Sequence, residues 1–235
     1  MTLSKRLAPP LLACLAAATY CTAALADDEP MPANTLRVGM YFVKYSASAP
    51  DLSGPFTPSG LNLRVANVNT LYFAYLRRVT SHLSVELAAG IPPETHTYAV
   101  GPATVGSVPF NGQEVATAKW FSPSVLLDYM FLDEHSNLRP YAGVGINYTH
   151  FYERNATAPG NAITGGPTAT YLSDSIGPAA TLGVFYRFAK NFNAIASYNL
   201  AQVNSNFDAN TSGISRTTTV HFNPRAVVVA VGYSF

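Results

Sequence analysis

The feature that most constrains this chain is a two-residue alternation of apolar side chains with small or polar ones. It is clearest at the C-terminus, where every second residue from Val227 to Phe235 is bulky and apolar and the residues between them are mostly small. Successive side chains of a β-strand point to opposite faces, so this period predicts strands with two different faces. After Ala26 the chain has no run of about 18 apolar residues, so transmembrane helices are not expected.

The alternation recurs in eight segments, which we predict to be strands. They cover residues 36–43, 70–75, 83–89, 120–131, 141–149, 175–186, 194–200 and 226–235. Short links alternate with long ones rich in Gly, Pro, Ser, Asn and Thr; the long links lie near residues 46–62, 92–118, 153–172 and 204–218. This pattern is typical of an all-β fold, an eight-stranded antiparallel up-and-down transmembrane β-barrel with short periplasmic turns.

Composition supports a membrane as the solvent. Charged residues make up 11% of the chain, less than half of the roughly 25% found in soluble domains. The chain has 14 basic and 13 acidic residues, so it has no basic excess that would favour a nucleic-acid partner. The soluble alternative is a secreted lipocalin-like barrel, which would be apolar inside and polar outside.

The N-terminus predicts a secretory signal peptide over residues 1–26, followed by one barrel domain over residues 27–235. Lys5 and Arg6 precede an apolar stretch, and Ala24-Leu25-Ala26 fits the small-x-small cleavage rule. Both cysteines, Cys14 and Cys21, fall inside this segment. The mature chain is therefore expected to contain no disulfide.

Several stretches of the chain carry a resemblance to a known family. They are residues 37–43, 83–89, 121–131 and 138–149 and the C-terminal Val231-Gly-Tyr-Ser-Phe235. The most specific is Arg139-Pro-Tyr-x-Gly-x-Gly-x-Asn-Tyr-Thr149. With these motifs the chain resembles the outer membrane protein W (OmpW) family of Gram-negative bacteria. It departs from the family pattern at Phe121-Ser-Pro123-Ser, where the family usually has Leu-Pro-Pro-Thr.

The resemblance implies a narrow hydrophobic barrel in the outer membrane that passes small apolar molecules, with release sideways through its wall. It also implies contact with outer-membrane lipids and, through the terminal Tyr233 and Phe235, with the barrel-assembly machinery. The family has been associated with colicin reception as well. A structural or receptor barrel for colicins, phages or adhesion therefore remains the alternative function.

Strand parity predicts which side chains face the lumen. The apolar and aromatic candidates for ligand contact are Trp120, Leu126, Tyr72, Leu76, Tyr141 and Phe151, and Tyr41, Val43, Met130 and Phe185 share their parity. The charged candidates are Arg37, Glu86 and Asp128. An eight-stranded barrel is barely wide enough for side chains or one small ligand, so a plugged core and a lined apolar path both remain open. Trp120 is either a contact for an apolar ligand or an interfacial anchor.

Two prolines fall inside predicted strands. Pro123 and Pro178 cannot donate a ladder hydrogen bond, so each is expected to leave a local gap. We treat both as candidates for a lateral opening.

The sequence offers no catalytic constellation, metal-ligand spacing or nucleotide loop. His82 and Ser84 share a strand face but lie at the predicted periplasmic end, and His150 lies near Glu153 without an adjacent serine. No enzyme activity, cofactor or metal is therefore expected.

Overall fold

The computed structural model describes residues 32–57, 59–102, 104–105 and 107–235. The predicted signal peptide with its two cysteines lies outside the described residues and stays a prediction. In chain order the strands are β1 Asn34–Tyr45, β2 Asn62–Val65, β3 Val68–Arg78, β4 Leu83–Gly90, β5 Glu94–Val100, β6 Thr104–Val105, β7 Val108–Pro109, β8 Glu114–Phe121, β9 Ser124–Met130, β10 Leu138–Ala156, β11 Thr168–Leu172, β12 Ser175–Arg187, β13 Phe192–Ala201, β14 Asn204–Thr211, β15 Ile214–His221 and β16 Pro224–Ser234. A short helix, α1 Ala158–Thr164, separates β10 from β11.

Eight of these strands close an antiparallel barrel. Its strand order is β1, β3, β4, β9, β10, β12, β13 and β16, and β16 pairs again with β1. The first and last strands are joined through the register Arg37↔Gly232. A closed barrel has no unpaired edge, so lipid can surround it without exposing backbone polar groups. The predicted eight-stranded fold is confirmed.

The long links differ from the prediction, because the structure forms strands in much of them. β2 pairs with β5 through Asn62↔Val100, in the same register in which β3 pairs with β4. β14 and β15 likewise continue the hairpin of β13 and β16, and they turn through Ser212 and Gly213, both at positive φ. The barrel hairpins therefore extend beyond the closed eight-stranded ladder. The sequence did not predict these extensions, because polar side chains on both strand faces obscure the two-residue alternation.

The predicted fourth strand, residues 120–131, is also corrected. It is broken at Ser122 and Pro123 into β8 and β9. Both pieces keep one register along β10, through Phe121↔His150 and Ser124↔Asn147. The break follows from Pro123, whose nitrogen cannot donate to that ladder.

The outer surface of the barrel is apolar and its interior holds the charge. Val144, Ile176 and Val231 are 67%, 75% and 59% exposed, whereas Arg37 and Asp128 are 1% and 0% exposed. This arrangement is the reverse of a soluble lipocalin-like barrel, which excludes that alternative. No helix in the described ranges is long and apolar enough to cross a membrane.

Aromatic side chains gather at the end of the barrel with the short turns. Ring centroids lie 5.2 Å apart in Tyr129–Phe131 and in Phe192–Tyr233, and Tyr233 stacks on Phe235. Such rings favour the interface between lipid and water. In outer-membrane barrels the short turns face the periplasm, so we call this the periplasmic end and the opposite end the outer end.

Candidate functional site

An ion pair crosses the periplasmic half of the lumen. Arg37 of β1 donates to Glu86 of β4, and their side chains are 0% and 6% exposed. The Tyr72 hydroxyl of β3 donates to the other Glu86 oxygen at 2.7 Å. A buried carboxylate and guanidinium are tolerated only when paired and hydrogen-bonded. These three side chains therefore form a polar plug, and the name is kept below.

Asp128 adds a second carboxylate beside the polar plug. It is fully buried and lies within electrostatic reach of Arg37. The described residues offer its oxygens no hydrogen-bond partner. Gly143 of β10 lies directly opposite, and a Cβ at that position would collide with the Asp128 carboxylate. A glycine here makes room for the buried acid.

Arg139 closes the lumen at the periplasmic end. Its guanidinium is fully buried and donates to the carbonyls of Ser81 at 2.8 Å and Leu132 at 3.1 Å. Its Nε donates to the carbonyl of Phe131 at 3.2 Å. The side chain thus ties two periplasmic turns together over the lumen.

Above the polar plug the lumen is apolar. Trp120 and Phe151 pack with Phe222, and the Phe151 and Phe222 rings stack at 5.2 Å. Trp120 is only 6% exposed and lies inside the barrel wall. It is not the interfacial anchor that the sequence left open. We call Trp120, Phe151 and Phe222 the neck.

A cavity lies at the outer end, above the neck. This outer cavity measures about 300 Å³. Its walls are mainly apolar and come from the strand extensions and α1; they include Leu61, Ala99, Phe110, Ile163, Phe207 and Ala209. Its volume is at the lower end of the range for small-molecule sites, about 300–1,000 Å³.

Smaller cavities lie between the outer cavity and the polar plug. Neighbouring cavities share lining residues. Phe207 lines both the outer cavity and the next cavity, and Phe151 lines that cavity and the one at the neck. Tyr41 lines the cavity at the neck and the lowest cavity. These cavities measure about 20 to 30 Å³ each, which is room for a water molecule. Passage of a larger solute requires the neck side chains to move.

The lowest cavity lies beside a part of the barrel wall where strand pairing is interrupted. Pairing between β4 and β9 stops at Ala88↔Ser124, and the next pair, between β5 and β8, is Glu94↔Lys119. The intervening segments contain Pro92, Pro93 and Pro123, which have no N–H to donate. Ala88, Ala89, Ser122 and Ser124 line the cavity beside this segment, and Tyr72 and Leu126 also line it. Residues 89–93 and 120–123 are not paired with each other, although both segments keep their neighbours on the other side, and we call these two segments the unpaired wall.

The other candidate for a gap has a different environment. Pro178 lies within β12 and pairs with Ile146 of β10. On its other side the Pro178 carbonyl accepts from the Gln202 N–H at 3.0 Å. The ring leaves one bond unmade there, but the wall around it stays paired.

The candidate ligand contacts lie at different levels along the barrel axis. Trp120 and Phe151 form part of the neck and line the cavity there, and Tyr72 and Leu126 line the lowest cavity. Leu76 and Tyr141 are also buried, but they pack with Met130 and Phe185 below the cavities. Tyr233 and Phe235 lie on the lipid-facing surface.

The histidines considered for catalysis have other contacts. His82 Nδ1 lies 2.8 Å from the Met130 carbonyl, and His150 Nδ1 lies 2.8 Å from Asp174 on the outer surface. In the described part of the chain no group of three His, Cys, Asp or Glu side chains could hold a metal.

Several buried polar residues were not predicted from the sequence, among them Arg139, Asn147 and Arg216. Arg139 has the same strand parity as Tyr141 and could have been found from it. Asn147, whose amide donates to the Pro123 carbonyl at 3.2 Å, also shares the parity of Tyr141 but was not among the lumen candidates. Arg216 lies in a segment predicted to be a loop and is 8% exposed on β15.

A closed antiparallel ladder, an apolar outer face and a charged interior define the class: this is a bacterial outer-membrane β-barrel. The family model described as the OmpW family matches residues 35–235. The chain therefore belongs to the OmpW family.

Curated relatives agree with this assignment. Outer membrane protein W of Vibrio cholerae is 28% identical over 156 residues, covering 66% of this chain and 69% of the relative. Outer membrane protein W of Escherichia coli is 26% identical over 171 residues, covering 73% and 75%. The dibenzothiophene metabolism operon protein PahQ of Pseudomonas aeruginosa is 30% identical over 143 residues, or 60% of each chain.

Solved structures share the fold. OprG of Pseudomonas aeruginosa superposes with a TM-score of 0.77 at 21% identity, covering 88% of this chain and 97% of that one. AlkL, solved in lipid bilayers, gives a TM-score of 0.62 at 16% identity, covering 92% and 96%.

Proposed function

We propose that this protein is a passive channel for small apolar solutes, which enter at the outer end and leave sideways into the membrane. The observation that carries the proposal is the outer cavity of about 300 Å³ with its smaller neighbours, which lie between it and the unpaired wall. Removing apolar surface from water, at about 25 cal/mol per Å², favours entry of such a solute.

The polar plug supports a sideways exit. A solute moving straight to the periplasm would have to displace Arg37 from Glu86 and leave buried charges unpaired, which is strongly unfavourable. Exit through the unpaired wall breaks no ladder pairs between Ala88↔Ser124 and Glu94↔Lys119. We therefore assign the lateral exit to Pro123 rather than to Pro178, whose surroundings stay paired.

The name of the relative PahQ refers to the metabolism of dibenzothiophene, an apolar aromatic compound. That name is consistent with an apolar solute for this chain as well. The proposal needs no catalytic step, cofactor or metal.

A structural or receptor barrel remains the second candidate, and the Arg37–Glu86 pair favours it because it closes the lumen. Uptake measurements separate the two. Cells that lack other proteins of this family, with and without this protein, would be compared for uptake of naphthalene and octane and of glucose as the polar control. The channel predicts faster uptake of the apolar compounds alone. Equal uptake by both strains would leave the receptor function.

A further inference from the structure

Arg216 is a buried cation on the wall of the outer cavity. It is 8% exposed, and its Nη1 has no hydrogen-bond partner among the described residues. The chain runs close to the Arg216 stem on one side: Ser53 bridges Thr217, and a Cβ added at Gly54 would lie 3.4 Å from Arg216 Cγ. The fold therefore keeps this guanidinium inside the cavity wall.

The surroundings of Arg216 do not balance its charge. The described residues that line the outer cavity include no carboxylate, and Arg216 is the one charged side chain among them. Thr170 lines the same cavity, and its buried hydroxyl also has no partner within the described ranges. A buried charge and a buried hydroxyl are both costly without partners, so this wall is complementary to an anion.

We propose that the outer cavity binds small amphipathic carboxylates, with the apolar body against Leu61, Phe110 and Ile163 and the carboxylate at Arg216 and Thr170. A guanidinium suits this role because it stays charged and can bind both carboxylate oxygens. The inference rests on the proposed function and deepens it, since it names a class of solute: apolar compounds that carry one negative charge.

Equilibrium binding to the purified barrel in detergent tests the inference. The probes are 2-naphthoate and its neutral analogue 2-naphthalenemethanol, both followed by their own fluorescence, with inorganic phosphate as an anion that lacks an apolar body. The variants are R216Q and, as a matched control, R64Q. Arg64 is exposed on β2, where it lies over the Tyr98 ring at 5.0 Å.

We expect the wild type to bind naphthoate at least about tenfold more tightly than the alcohol, a difference of about 1.4 kcal/mol. R216Q should remove this preference while binding of the alcohol changes less than twofold, and R64Q should bind both probes like the wild type. Phosphate should neither bind nor compete. R216K, which keeps the charge, should retain part of the preference and provides a second test if R216Q does not fold.

Equal affinity of the wild type for the two naphthalene probes would overturn the inference, and so would an unchanged preference in R216Q. Binding of phosphate alone would show a general anion site and would also contradict it. Failure of the proposed function has a different signature, namely equal uptake of neutral apolar compounds by cells with and without the protein.

Discussion

Arg37 of β1 and Glu86 of β4 form an ion pair on the lumen side of β3, the strand that separates them, and neither side chain is more than 6% exposed. Tyr72 of β3 donates to the same carboxylate at 2.7 Å. The barrel is thereby closed by polar groups in its periplasmic half and by apolar groups in its outer half. This division is the basis of our proposal that the path turns sideways above Glu86.

The ion pair can be tested by a double-mutant cycle. E86L alone leaves Arg37 buried without its main partner and should lower the free energy of unfolding by about 3–5 kcal/mol. R37M/E86L should lose less than the sum of R37M and E86L, because each single variant strands a charge. Urea unfolding followed through Trp120, the single tryptophan, measures each value. Additive losses would contradict the proposed coupling.

Gly143 is required by its neighbour rather than by its backbone conformation. A methyl group there meets the Asp128 carboxylate and lies 2.8 Å from Thr181 Cγ2, so G143A should cost about 1–3 kcal/mol by overpacking. The double variant D128A/G143A should recover part of the stability that G143A loses, because the carboxylate that the added methyl group meets is removed. G166A is the matched control, because an added Cβ there has only one ordinary contact, at 3.7 Å. Equal stability of G143A and G166A would show this account to be wrong.

Asp174 should make the stability of the outer end depend on acid pH. Hydrogen bonds from Tyr148, at 2.6 Å, and from His150 hold the pKa of Asp174 below its ordinary value. Its contribution is present above the unfolded pKa of about 3.9 and is lost as the pH falls through the lower folded pKa. The Tm of the wild type should therefore exceed that of D174N at pH 5–7, and the difference should shrink below about pH 4. A difference that grows in acid would have the wrong sign.

The period of two identified the barrel and most of its lumen, because parity assigns each side chain to a face. It placed Arg37, Glu86 and Asp128 inside but could not say which charges meet, since that depends on register between strands such as Leu76↔Glu86. Pro123 predicted a local gap, but not that one strand ends there and another begins, because apolar residues alternate on both sides of it. Arg216 was not predicted to be buried, because Thr, Ser and Asn lie on both faces of β14 and β15 and obscure the alternation of apolar and polar residues in these strands.

The most direct test of the lateral path is to fill the lowest cavity beside the unpaired wall. Ala88 is 9% exposed there, and A88F should block the exit; S124F fills the same cavity from the facing strand. V144F introduces the same ring on the lipid face, where Val144 is 67% exposed, and is the matched control.

The measurement is the initial rate of labelled naphthalene uptake by cells that carry equal surface amounts of each folded variant. The account predicts that the wild type and V144F raise uptake several-fold over cells without the protein, and that A88F and S124F do not. Uptake by A88F and S124F at the wild-type rate would contradict a path through this wall.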